Sequence, residues 1–199
     1  MNPQRGMARQ YWVAIRVLLI FTVALGLVYP LVITGVGLLV PAQANGSVVF
    51  VDGRPVGSSL IGQSFTDENG EALPSWFQSR PSAVGYDASR SGGSNLGPEN
   101  EALEATIEDR RAALSTLYGV EARAIPPGAL TASGSGLDPQ ISPEYARLQV
   151  KRVAAARGLK ESDVASLVES FVQERTLGFL GERTVNVLEL NIALARMDG

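Results

Sequence analysis

The feature that most constrains this chain is a long stretch near its N-terminus that contains no charged residue. From Val17 to Asn45 there is no Asp, Glu, Lys or Arg, and Leu, Val, Ile, Phe and Ala dominate. Its core, Val17 to Val40, would be about 36 Å long as an α-helix, which exceeds the ~30 Å of hydrocarbon in a bilayer. Because a backbone in lipid must satisfy its own hydrogen bonds, the stretch predicts one membrane-spanning helix.

The charges beside this span predict its orientation. Arg5, Arg9 and Arg16 precede it without any acidic residue, whereas the next charge after it is Asp52. Positive residues stay on the cytoplasmic side, so we expect the N-terminus inside and the remainder outside. The resulting division is a cytoplasmic tail over residues 1–10, a transmembrane helix over residues 11–41 and an extracytoplasmic domain over residues 42–199.

A cleaved signal peptide is the alternative for this segment. Ala42-Gln43-Ala44 has the A-x-A form of a cleavage site. The apolar core is, however, much longer than the ~7–15 residues of a signal peptide, and this length favours an uncleaved anchor. With either interpretation, the soluble part is expected to lie outside the cytoplasm.

Composition excludes several classes of function. The chain has no Cys and no His, which removes disulfides, Ser-His-Asp and Cys-His catalysis, and the commonest transition-metal ligands. Three of its 17 Lys and Arg precede the span, leaving 14 against 20 Asp and Glu, a net charge of −6. An acidic domain outside the cell lacks the basic surface that binds nucleic acid. The helices at 143–157 and 161–175 are therefore interpreted as two helices packed against each other, not as a DNA-binding motif.

The remainder predicts an α+β domain. Patterns of Val and Phe favour strands at 47–52 and 59–65, with a further strand at 76–79. Helices are expected from Pro98 to Gly119, from Pro143 to Arg157 after a Ser142 cap, and over 161–175. The alternation at 184–190 predicts a final strand.

Two segments rich in Gly, Ser and Pro, residues 80–98 and 131–139, cannot form regular elements, and we expect them to be ordered loops. Ser91-Gly92-Gly93-Ser94 resembles a phosphate-binding turn, but no Lys follows it as in a P-loop. Asp138 is the only carboxylate in its loop, which disfavours a dedicated cation site.

Small residues recur on the predicted span. Thr22, Gly26, Pro30 and Thr34 are four residues apart, a spacing that lets helices approach closely in lipid. Pro30 lacks an N–H and should kink the helix. The predicted packing face comprises Thr22, Gly26, Tyr29, Pro30, Thr34 and Gly35.

A series of short motifs runs from the span to the C-terminus. They are Tyr29-Pro30-Leu31 with Thr34-Gly35, Gly57 to Phe65, Phe77 to Ser82, Ser91 to Pro98, Thr131 to Pro139, Ile141-Ser142-Pro143 and Val185 to Asn191. In this order they resemble the C-subunit family of the bacterial Kdp potassium-transporting ATPases over nearly the whole chain. The family usually has His where this chain has Gln140, and Pro is common near Arg183 and Thr184.

The resemblance implies a non-catalytic, single-pass subunit of a heterotetramer in the inner membrane. Its partners would be a potassium-binding A subunit, an ATP-hydrolysing B subunit and a small F subunit, and the complex would handle ATP and K⁺ without a cofactor on this chain. Two roles are implied: a catalytic chaperone that raises the ATP affinity of the B subunit, and a cap over the A subunit. The residues expected to order the outer loops or meet a partner are Arg80, Ser91, Gly92, Gly93, Asn95, Ser133, Ser135 and Asp138.

Two alternatives come from other classes: a membrane-anchored extracytoplasmic enzyme that uses carboxylates, and a periplasmic binding module. The enzyme predicts activity from the outer domain alone, and the binding module predicts stability without partners. ATP is cytoplasmic, so a body outside the membrane cannot bind it directly. Any effect on ATP affinity is therefore expected to be indirect, through the span.

Overall fold

A computed structural model describes residues 3–197, so the first two residues of the expected tail and the last two of the chain lie outside it. The chain forms two compact units that divide between Ser47 and Val48. The first unit is helical throughout most of its length. It consists of α1 (Pro3–Val23), a π-helical turn (Ala24–Val28), α2 (Tyr29–Leu39) and α3 (Pro41–Ala44).

The apolar part of the first unit meets the requirements of a membrane span. Met7–Leu39 is a helix of 33 residues, and no residue in its most apolar window is buried by the rest of the protein. The π-helical turn ends at Val28, two residues before Pro30, and the Tyr29 N–H donates to the Ala24 carbonyl, one residue further back than in an α-helix. Pro30 therefore enters the helix after a locally widened turn. Helix α2 ends at Leu39, two residues before the expected end of the span at residue 41, because Val40 leaves helical geometry at φ −130°.

The second unit is an α+β body with two small antiparallel sheets. The prediction of an α+β domain after an N-terminal apolar helix is therefore confirmed. In chain order its elements are β1 (Val48–Val51), β2 (Arg54–Ser58), α4 (Glu101–Tyr118), a 3₁₀ turn (Ala122–Ala124), α5 (Pro127–Leu130), β3 (Gln140–Ile141), α6 (Pro143–Arg157), α7 (Glu161–Ser170), β4 (Val185–Asn186) and α8 (Val187–Ala195).

The first sheet is a hairpin of β1 and β2. Its turn is Asp52-Gly53, both residues with positive φ, as in the tightest hairpin turns. The prediction of a strand at 59–65 is wrong, because the segment that pairs with β1 is Arg54–Ser58. The turn places β2 earlier in the chain than the apolar pattern indicates.

The strand expected at 76–79 is also wrong, and side-chain amides explain why. The Phe77 N–H donates to Asn191 Oδ1 and its carbonyl accepts from Asn191 Nδ2, both at 2.9 Å. The Gln149 amide pairs in the same way with the Gln78 N–H at 2.7 Å and carbonyl at 3.0 Å. Backbone groups at this buried segment are thus satisfied without a neighbouring strand.

Two helix boundaries differ from expectation. The first long helix begins at Glu101 and not at Pro98, because the Asn100 side chain accepts the N–H groups of Ala102 and Leu103. Helix α7 ends at Ser170 and not at Arg175, since the chain then turns into a hairpin in which Gln173 pairs with Thr184. Helix α6 is confirmed with its Ser142 cap and its stop at Gly158.

Of the strand expected at 184–190, only the two residues of β4 are extended, and the chain becomes helical from Val187 onward. The Asn186 side chain caps α8 by accepting the Glu189 N–H at 3.1 Å. Buried residues of α8 recur with the spacing of a helix face. They are Val187, Leu188, Leu190, Asn191 and Leu194.

The core of the body lies between α6, α7, α8 and the segment around Phe77. Phe77, Val153, Val164, Val168, Leu190 and Leu194 are fully buried there. This core fixes the positions at which the two glycine-rich loops leave it.

Candidate functional site

The two Ser- and Gly-rich loops, the first at 80–98 and the second at 131–139, lie against each other. The Gly92 N–H donates to the Ser135 carbonyl at 2.8 Å, and the Ser91 hydroxyl donates to the same oxygen at 3.1 Å. The Ser133 N–H donates to the Pro81 carbonyl at 3.2 Å. We call this contact region the loop junction.

One ion pair crosses the junction. Arg80 Nη1 lies 3.1 Å from Asp138 Oδ2, and both side chains are about a quarter exposed. The Asp138 Oδ1 also accepts the Gln140 N–H at 3.0 Å, so the carboxylate holds the second loop in shape. The Arg80 carbonyl accepts the Tyr86 hydroxyl at 2.7 Å, which folds the first loop back on itself.

Close backbone contacts explain the glycines of the junction. Gly136 has φ +69°, and a Cβ there would lie 2.5 Å from Val84 Cγ2 and 2.7 Å from the Gly92 carbonyl oxygen. The Gly136 carbonyl in turn accepts the Ser82 hydroxyl at 2.7 Å. A side chain at Gly136 would therefore force the two loops apart.

Most of the residues expected at the site meet at this junction. Arg80, Ser91, Gly92, Ser133, Ser135 and Asp138 take part in the bonds above, and a Cβ on Gly93 would lie 3.1 Å from the Gly134 carbonyl oxygen. Asn95 does not join them. It is exposed at φ +55° beyond the contact region.

Sequence reasoning missed three residues that shape the junction: Gly62, Ser82 and Tyr86. The Gly62 N–H donates to the Leu137 carbonyl at 2.7 Å, and the Ser82 hydroxyl accepts the N–H groups of Val84 and Tyr86. All three lie in or between the short motifs of the sequence. The motifs mark these segments of the sequence as candidates for the site, but a motif does not reveal which distant segments contact each other.

Burial changes the acidity of the tyrosine at the junction. Desolvation raises the pKa of Tyr86 from 10.0 to about 12, with a smaller contribution from the negative charge of Asp138. A cavity of about 300 Å³ lies beside Tyr86 and Arg80 and is lined partly by the hydroxyls of Ser64, Thr66 and Ser82. The Tyr86 hydroxyl therefore stays protonated at neutral pH and can donate its hydrogen bond to the Arg80 carbonyl.

The junction does not have the geometry of a phosphate site. The Gly92 N–H, which an anion would need, already donates to Ser135, and α4 starts only at Glu101. Among residues 3–197, no group of three or more acidic side chains is placed to hold a metal ion. The polar groups of the junction mainly hold two loops together.

On the span, the six residues expected to form a packing face lie along the helix around the π-helical turn. Gly26 lies within that turn, and a Cβ there or on Gly35 would meet nothing within 4 Å. The Thr34 hydroxyl donates to the Pro30 carbonyl at 2.8 Å. A four-residue repeat drifts by about 40° per step around an α-helix, and the widened turn counters this drift between Gly26 and Pro30.

The apolar span and the α+β body that follows it define a single-pass membrane protein. A family model described as "K+-transporting ATPase, c chain" matches residues 11–196, and the chain belongs to this family. A "Potassium-transporting ATPase KdpC subunit" of Kineococcus radiotolerans is 57% identical over 191 residues, covering 95% of this chain and 94% of the relative. A protein of the same name from Caldanaerobacter subterraneus is 52% identical over 185 residues, covering 90% of this chain and 91% of the relative. Another from Mycobacterium tuberculosis is 48% identical over 195 residues, covering 96% of this chain and all of the relative.

Proposed function

We propose that this chain is an accessory, non-catalytic subunit of an ATP-driven potassium importer in the bacterial inner membrane. The observation that carries the proposal is the family match over residues 11–196, which includes both the span and the body. Its partners are then the potassium-binding A subunit, the ATP-hydrolysing B subunit and the small F subunit. ATP and K⁺ are handled by these partners.

The loop junction supports a role in shape and not in chemistry. Its charged groups, Arg80 and Asp138, bind each other, and the chain has no His or Cys to serve as a base or nucleophile. We assign the buried and half-buried members of the site to loop order. They are Arg80, Gly92, Gly93, Ser133 and Asp138.

The exposed members of the site are then the candidates for contact with a partner. Ser91, Asn95 and Ser135 face solvent, while the junction fixes the backbone beneath Ser91 and Ser135. A rigid surface loses little conformational entropy on binding. These three residues suit a preformed contact with the outer face of the transporter.

The charge pattern around the span supports a cytoplasmic N-terminus and a body outside the membrane. In that topology the body cannot reach cytoplasmic ATP. We therefore propose that the chain raises the ATP affinity of the B subunit indirectly, through the packing face at Thr22, Gly26, Tyr29, Pro30, Thr34 and Gly35. Such coupling requires only that this face bind one state of the partner more tightly than another.

Purification of the tagged full chain from native membranes tests the proposal. We expect the A, B and F subunits to co-elute, together with potassium-dependent ATP hydrolysis that the chain by itself does not show. Elution of the chain without these subunits would contradict the proposal. Hydrolytic activity in the isolated chain would instead favour the membrane-anchored enzyme.

A further inference from the structure

The hairpin of β1 and β2 has one face on the body and one bare face. Val51 and Val56 line a cavity of about 420 Å³ on the body. Successive side chains of a strand point to opposite faces, so Val48 and Phe50 lie on the other side of β1, where they are 44% and 58% exposed. Pro55 is opposite Phe50 on β2 and is exposed as well. Two apolar side chains and a proline thus form a bare patch on the hairpin.

The hairpin begins close to the end of the span. The Ala44 N–H donates to the Val40 carbonyl at 3.0 Å, and the Ser47 N–H donates to the Ala42 carbonyl at 2.8 Å. These bonds coil the connection, so the first residue of β1, Val48, starts less than about 20 Å from Val40, whereas an extended connection could reach about 28 Å. The headgroup layer of a bilayer is itself about 5–8 Å thick on each side. The hairpin therefore starts near the membrane surface from which the chain emerges.

The span has anchoring side chains at only one of its ends. At the N-terminal end the Arg16 guanidinium lies over the Trp12 ring, 5.4 Å from its centroid, and such residues fix a helix at the headgroups. Residues 30–49 contain no aromatic and no basic residue. The first of each kind after them are Phe50 and Arg54, and both are exposed on the hairpin.

We propose that the bare face of this hairpin, at Val48, Phe50 and Pro55, lies in the headgroup layer of the lipid bilayer. The Phe50 ring then reaches the boundary of the acyl chains and provides the second anchor of the span. Arg54 at the tip can reach lipid phosphate oxygens, but Asp52 beside it is exposed too, so apolar contact with lipid is the main attraction. The proposal depends on the membrane span and not on any partner subunit.

The size of the bare face favours lipid over a protein as its occupant. A specific contact between two proteins buries about 800 Å² on each partner, which is far more than two apolar side chains and a proline provide. Contact with lipid has no such threshold here, because the span already holds the chain in the membrane. Each apolar side chain that enters the interface then adds to the attachment by its own buried area.

A spin label tests the depth of Phe50 in a bilayer. Because the chain has no cysteine, a nitroxide on Phe50→Cys reports on this position alone. The full chain is reconstituted into vesicles of phosphatidylethanolamine and phosphatidylglycerol, and collisions of the nitroxide with oxygen, which concentrates in lipid, are compared with collisions with a water-soluble nickel chelate. Leu117→Cys in α4 is the matched control, since Leu117 is 53% exposed.

We expect oxygen to dominate at position 50 and the nickel chelate to dominate at position 117. The ratio of the two collision rates should therefore change sign, on a logarithmic scale, between the two variants. The same ratio at both positions, dominance of nickel at position 50, or protection of position 50 from both reagents would overturn the proposal.

Photo-crosslinking in native membranes tests the same contact in the assembled protein. The full chain carries benzoylphenylalanine in place of Phe50, and the control carries it in place of Leu117. We expect a phospholipid adduct at position 50, identified by mass spectrometry, and none at position 117. An adduct of position 50 with another protein or with a second copy of this chain in place of lipid would overturn the proposal, as would the absence of any adduct.

Discussion

Gly62 lies so close to Asp138 that a Cβ at position 62 would be only 2.4 Å from the Asp138 carbonyl oxygen. The same Cβ would lie 2.6 Å from Cε1 of Tyr86. The backbone of residue 62 therefore packs directly against both loops of the junction. This contact links the loops to the segment that follows the first hairpin.

Gly62→Ala should destabilise the body by about 1–3 kcal/mol, because the added methyl group has no room to enter. Thermal unfolding of the full chain in detergent measures the loss. Gly128→Ala is the matched control, since a Cβ there meets nothing within 4 Å. Equal unfolding temperatures for the two variants would show that the junction yields easily and is not a rigid surface.

Asn191→Leu should destabilise the body by about 2–5 kcal/mol. The substitution preserves bulk but leaves the buried N–H and carbonyl of Phe77 without their amide partner. Gln173→Leu removes an amide at the exposed hairpin base and should change stability little. Denaturant unfolding compares the two, and a small loss for Asn191→Leu would mean that Phe77 finds other partners.

Stability should fall with rising pH as the medium passes from about pH 10 to about pH 12. Tyr86 in the unfolded chain loses its proton near its ordinary pKa of 10.0, whereas the folded protein holds it until about 12. The unfolded state is therefore favoured progressively in this interval. Tyr86→Phe should be less stable at neutral pH, having lost the bond to the Arg80 carbonyl, but should show a shallower alkaline decline. Identical pH slopes would remove Tyr86 as the cause.

Replacing small residues of the span by larger ones tests its packing face. Gly26→Leu and Thr34→Leu should raise the ATP concentration needed for half-maximal hydrolysis by the purified complex, because both prevent close helix approach. Val32→Leu is the control, because position 32 lies about 160° around the helix from both Pro30 and Thr34 and already carries a branched apolar side chain of nearly the same bulk. Unchanged ATP dependence in an intact complex would count against transmission through the span.

Features governed by neighbouring residues could be predicted from the sequence. The span follows from a continuous apolar stretch, and helix α6 follows from its Ser142 cap, Pro143 and the terminating Gly158. Features that depend on distant partners could not. The strand expected at 76–79 is absent because amides from Gln149 and Asn191, more than 70 positions away, satisfy its backbone.

The same distinction applies to the candidate site. Composition indicated that residues 80–98 and 131–139 are ordered loops with polar roles. It did not indicate that they bind each other, since Arg80 and Asp138 are 58 positions apart. Local pattern also placed Asn95 with the rest of the site, although the chain has already left the junction at that point.

The orientation of the body is the claim on which the other functional proposals depend. The chain has no cysteine, so Ser94→Cys and Gln10→Cys each introduce a single labelling site at an exposed position. In right-side-out membrane vesicles, a membrane-impermeant maleimide should label Ser94→Cys at once and Gln10→Cys only after the vesicles are opened. Labelling of Gln10→Cys in sealed vesicles, with Ser94→Cys protected until they are opened, would place the body in the cytoplasm and contradict the account.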